Sequence, residues 1–133
     1  MLRKRHAVDA RGRSVALQIG ASRMLVGVGA LFATRPALRL LGFGQPEQTG
    51  MALAKLAGGR DLALGALTVA ARDDRAKLRM LIFVSSVLDA ADALALGVAT
   101  RYPETRRAGL GGIFSGGGAA FAGFWAWRRL GGG

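Results

Sequence analysis

Four apolar stretches divide the chain, at residues 14–34, 50–71, 78–100 and 108–127. Each holds roughly 20 residues, and at 1.5 Å rise per residue a helix of that length crosses the ~30 Å hydrocarbon core of a bilayer. The stretches are long, rich in Ala and Leu, and show no period-two alternation, so strands are not predicted. Pro36 and Pro46 punctuate the first connector, with Gly42 and Gly44 between them. Residues 36–41 of that connector have the length of a short surface helix. The second connector, residues 72–77, is short enough for a tight helical hairpin. The pattern predicts an all-α fold, a four-transmembrane-helix bundle over residues 14–130. A basic arm precedes it at 1–13, and a disordered glycine tail follows at 131–133.

A water-soluble bundle would need a charged face on every helix. The fourth stretch carries no charge from 108 to 127 and the first carries only Arg23, so a soluble bundle would expose bare apolar surface. A cleavable signal peptide is the competing account of the N-terminus. Arg23 interrupts that apolar stretch, and its length suits a span better.

Basic residues in the flanks set the orientation. Arg3, Lys4, Arg5, Arg11, Arg13, Arg72, Arg75, Lys77, Arg79, Arg128 and Arg129 fall on one side of the predicted membrane. Arg35, Arg39, Arg101, Arg106 and Arg107 fall on the other. Eleven against five puts both termini in the cytoplasm by the positive-inside rule. Trp125, Trp127, Arg128 and Arg129 together read as an interfacial anchor. The net charge of +11 then fits attraction to anionic lipid head groups. The basic residues cluster at the ends of apolar segments without interleaved aromatics, so nucleic acid is not expected as a partner. Cysteine is absent, which excludes disulfides and thiol chemistry, and the single His6 makes no metal triad. No metal or cofactor is expected.

Charges inside the apolar stretches are the candidate chemistry: Arg23 in the first, Arg60 and Asp61 in the second, Asp89 and Asp92 in the third. An ionisable group at bilayer depth costs several kcal/mol, so it normally faces a partner, a cavity or a transport path. Asp89 and Asp92 are three apart and share a helix face, with Ser85 one turn earlier on the same stripe. Arg60 and Asp61 lie about 100° apart around their helix and so reach towards different neighbours. Lys55 lies on the opposite side of that helix and snorkels out of the cluster. The expected pairings join Arg23 or Arg60 to Asp89 or Asp92. Two cations then face three carboxylates, and one aspartate is expected to hold a proton. Three roles are open to this centre: fixing helix register as paired ions, binding a small molecule, lipid or partner, and moving protons. An intramembrane enzyme or isomerase using one aspartate as general acid or base is the alternative.

On the fourth stretch, Gly111, Ser115, Ala119 and Gly123 form a small-residue stripe, with Gly112, Gly116 and Ala120 beside it. Small residues at four-residue spacing let helices approach closely in lipid, within the protomer or in a homo-oligomer.

The runs Ser22-Arg23-Met24-Leu25-Val26-Gly27, Arg35-Pro36 with Gly42, Gly58-Gly59-Arg60-Asp61-Leu62-Ala63-Leu64-Gly65 and Leu88-Asp89-Ala90-Ala91-Asp92-Ala93-Leu94 carry a family resemblance. Over residues 15–127 the chain resembles the small four-span actinobacterial membrane proteins of the DUF4267-like group. By span count it is more loosely similar to DoxX-like membrane proteins. The resemblance implies a compact four-helix bundle in a bacterial inner membrane, and no activity.

Overall fold

A computed structural model of the chain describes the backbone of residues 2–44 and 47–132, with side chains from Ala10 onward. Pro46, Gly133 and the side chains of Arg3, Lys4, Arg5 and His6 lie outside the described residues. Among the described residues the fold is all-α, with no strand. Its helices are α1 (Leu2–Phe32), α2 (Thr34–Leu40), α3 (Gln48–Ala70), α4 (Arg75–Ala99) and α5 (Arg106–Gly131), with a 3₁₀ turn at Ala71–Asp73.

Local sequence sets the helix ends. Pro36 has no N–H for the carbonyl of Phe32, and its ring would collide with that carbonyl, so α1 stops there. The chain restarts as α2 after Ala33, whose backbone leaves the helical region. Gly42 closes α2 with φ +90°, and the Gly42 and Phe43 amides donate to the carbonyls of Arg39 and Leu38, both at 3.0 Å. This is a Schellman ending, in which a glycine adopts the left-handed conformation and satisfies the last carbonyls. Asp74 caps α4 by accepting from the Lys77 amide at 3.0 Å. That backbone donor and the Lys77 ammonium hold the Asp74 carboxyl below the usual aspartate range.

Two of the sequence expectations change at the termini. The basic arm is no separate segment, because nothing between residues 2 and 32 breaks a helix and α1 runs through it. Gly131 ends α5 instead of belonging to a disordered tail, packed so closely on the Arg79 guanidinium that a Cβ would lie 2.6 Å from it.

The four long helices run antiparallel in a square. Helix α1 packs on α3 and α5, α4 packs on α5, and α3 touches α4 only sparsely, which leaves α1 and α4 on a diagonal. Two of the seams are built on glycine. A Cβ at Gly27 would sit 2.6 Å from the Gly58 carbonyl oxygen, and one at Gly65 would sit 2.9 Å from the Met24 amide nitrogen. Gly20 meets Thr68 and the Gly65 carbonyl in the same way. Across the second seam, Gly109 meets the Leu96 carbonyl and Thr100, and Gly116 meets the Asp89 carbonyl. At the basic end an apolar core of Ala16, Ala71, Leu78, Ile82, Ala126 and Leu130 fills the square.

Two helical segments, Ala10–Phe32 and Arg75–Ala99, are long and apolar enough to cross a membrane. Helices α3 and α5 have the length but not the apolarity: α3 carries Lys55, Arg60 and Asp61, and α5 is rich in glycine.

Candidate functional site

Arg23 sits on the inner stripe of α1 between Gly20 and Gly27, where α1 and α3 nearly touch. With no side chain on either neighbour, its guanidinium runs inward across the diagonal. Nη1 donates to Asp61 Oδ1 of α3 at 2.6 Å. Nη2 donates to the Asp89 carboxylate and to the Ser85 carbonyl, 3.1 Å away, both on α4. Arg60 completes the set from α3, gripping Asp92 of α4 with two contacts of 2.6 and 3.3 Å. It also reaches back to Asp61 Oδ1 at 3.3 and 3.4 Å.

The five side chains therefore form one line of alternating charge, Asp89–Arg23–Asp61–Arg60–Asp92. Asp61 is the middle link, shared by both arginines. The third carboxylate that the sequence leaves in excess is placed between two cations, and every carboxylate in the line has a guanidinium partner. Side-chain exposure rises along the line from 7% at Arg23 and 13% at Asp89, through 17% at Asp61, to 31% at Arg60 and 42% at Asp92. One end is sealed inside the bundle and the other opens at the sparse seam between α3 and α4. Lys55 is exposed and stands outside the line.

Ser85 lies beside the sealed end, fully buried, and its Oγ has no hydrogen-bond partner; the Arg23 Nε is likewise unpartnered. Buried polar atoms without partners are uncommon and mark places where a water or a ligand atom belongs. Two hollows of about 400 and 370 Å³ open at the basic end, and no member of the charged line lines either of them. Among the described residues no three metal-ligating side chains gather.

The remaining sequence candidates separate by face. On α5, Gly112, Ala120 and Gly123 are buried and Gly116 is half-buried against α4, whereas Gly111 and Ser115 are exposed and Ala119 is half-buried. The packed stripe is thus the one that begins at Gly109, not the one that begins at Gly111. Trp125 lies under the Arg129 guanidinium, 5.1 Å from it, and Trp127 takes Arg79 at 4.9 Å and Phe83 at 5.3 Å. Arg128 and Arg129 are exposed. Sequence reasoning did not pick out the Gly20, Gly27, Gly58 and Gly65 seam that presents Arg23. Its signal was present as two glycine pairs, each seven residues apart.

No protein-family model, curated protein or solved structure matches this chain.

Proposed function

We propose that this chain is a four-span integral membrane protein, with both termini cytoplasmic, whose charged line fastens the bundle. The observation that carries this reading is its inverted polarity. Arg23, Thr68, Ser85, Ser86 and Asp89 are buried, while Leu25, Phe32, Leu94, Phe114 and Phe121 are each at least 75% exposed. Soluble monomers rarely show large contiguous apolar surface, and a lipid environment covers such a belt. Inside lipid, charged groups face the bundle interior and pair with one another, as these five do. Resemblance to the DUF4267-like proteins of bacterial inner membranes points the same way.

Pairing of each aspartate of the line with a guanidinium favours a fastening role over acid–base catalysis or proton carriage. A second reading, a small ligand held at the sealed end, is favoured by the unpartnered Ser85 Oγ and Arg23 Nε. Native mass spectrometry of the wild type and of Asp89→Asn checks it: a co-purifying mass lost in the variant supports a ligand, and no such mass removes it.

The absence of cysteine makes topology testable with single substitutions. Ser14→Cys and Gln48→Cys place a thiol at opposite ends of the bundle. In intact cells a membrane-impermeant maleimide should label Cys at 48 and spare Cys at 14, with the protein staying in the carbonate-washed membrane fraction. Release into the wash, or equal labelling of both positions, overturns the reading.

A further inference from the structure

At the basic end, Arg13 of α1 and Arg72 of the 3₁₀ turn converge on Asp73, with Arg13 Nη2 at 2.7 Å and Arg72 Nε at 3.2 Å from its carboxylate. Arg13 Nε is also tied to the Arg72 carbonyl at 2.8 Å. A guanidinium has five N–H donors, and these contacts use two on Arg13 and one on Arg72. The remaining donors sit on exposed side chains. The hollow of about 370 Å³ opens here, walled by Ala10, Arg13, Arg72, Asp73 and Arg75 over a floor of Leu78 and Leu130. The second hollow shares Arg72 and Asp73 and continues along Met24, Ala66, Val69 and Ala70, away from the charges.

We infer that this paired hollow is a site for one anionic phospholipid. Its phosphate lies between Arg13 and Arg72, and an acyl chain follows the α1/α3 groove past Ala70, Val69, Ala66 and Met24. Three properties converge on that ligand class. Arg binds phosphate through two parallel N–H donors, and two arginines fixed by one carboxylate are already oriented. Among the described side chains, Arg11, Arg13, Arg72, Lys77, Arg79, Arg128 and Arg129 outnumber Asp73 and Asp74 at this end, so the field favours an anion. The groove continuing from the charged rim is apolar, which a soluble anion would not use and an acyl chain would. Basic pockets between helices on the cytoplasmic side are the kind of place where anionic head groups lodge.

The inference rests on the membrane reading, and carbonate-washed membrane localisation of each variant tests that reading separately. Detergent-purified protein is titrated with phosphatidylglycerol, phosphatidylcholine and inorganic phosphate and read by native mass spectrometry. Phosphatidylglycerol should be retained over phosphatidylcholine. Arg13→Gln with Arg72→Gln should weaken that retention roughly 30-fold, at about one basic contact's worth of affinity for each arginine. Arg13→Lys with Arg72→Lys keeps the charge and should retain the preference within about threefold. Arg106→Gln with Arg107→Gln, at the opposite end, should leave it unchanged. If the double Gln variant loses its fold, adding Asp73→Asn removes the orphaned carboxylate and the same loss of lipid is expected. Equal retention of the two lipids, displacement by inorganic phosphate at equal concentration, or the same loss from the Arg106/Arg107 variant overturns the site.

Discussion

Helix α1 meets α3 closely, at glycines whose backbones nearly touch, whereas α3 meets α4 only sparsely, with Arg60 reaching across to Asp92. The first seam has backbone within contact distance at its glycines, so it sets a distance and tolerates little. The second holds its helices apart and joins them by long, partly exposed side chains, so it tolerates change but depends on charge. Arg23 belongs to both. It is positioned by the glycine seam and donates to Asp61 of α3 and, across the square, to Ser85 and Asp89 of α4.

Removing Arg23 attacks both seams at once and should have the largest effect. Arg23→Met leaves Asp61 and Asp89 buried without their shared cation, and unfolding in mixed micelles should show a loss of about 3–5 kcal/mol, the usual consequence of breaking a buried pair from one side. A loss below about 1 kcal/mol would show that the line of charges does not hold the bundle. Next comes the glycine seam itself. Gly27→Ala places a Cβ 2.6 Å from the Gly58 carbonyl and 2.7 Å from the Leu62 amide nitrogen, and should cost about 1–3 kcal/mol. Gly29→Ala, on the same helix with open space around its Cβ, should be neutral or stabilising by up to about 1 kcal/mol. Equal effects at positions 27 and 29 would erase the distinction between the seams.

At the open end, Arg60→Gln should cost less than Arg23→Met, because Arg60 and Asp92 are more exposed than Arg23 and Asp89, and Asp61 keeps Arg23. Replacing Arg60 and Asp92 together with Leu should be close to neutral, since both charges leave at once. A double variant worse than the single one would mean that the pair does more than span the gap. The smallest effect is expected at Asp74, at the N-terminus of α4. Its carboxyl is held below the ordinary aspartate value of 3.8, so the stability it adds is present above that value and is lost as pH falls through its folded value. Melting temperature should therefore drop below about pH 4 more steeply in the wild type than in Asp74→Ala.

The helices were legible because apolar run length dominates everything else in this sequence, and α2 was announced by Pro36 and Gly42. The members of the charged centre were legible for a related reason, since a charge inside an apolar run stands out. Their order was not. Which carboxylate lies between the two arginines depends on how closely α1 approaches α3, and that follows from Gly20, Gly27, Gly58 and Gly65 acting in pairs across a seam. Spacing along one helix likewise left two adjacent rows of small residues on α5 undivided, because Gly111 and Gly112 are both small and only the α4 partner selects between them.

The line of charges also divides unevenly between the two halves of the chain. The α1–α3 hairpin brings Arg23, Arg60 and Asp61, and the α4–α5 hairpin brings Asp89 and Asp92. Within the line alone, the first half contributes a surplus of positive charge and the second only negative charge, and the break between them falls at the short turn around Asp73. Two fragments made separately and cut at that turn should seek each other out in the membrane. In the intact protein, the second hairpin to leave the ribosome brings the two carboxylates, Asp89 and Asp92, that pair with the arginines of the first.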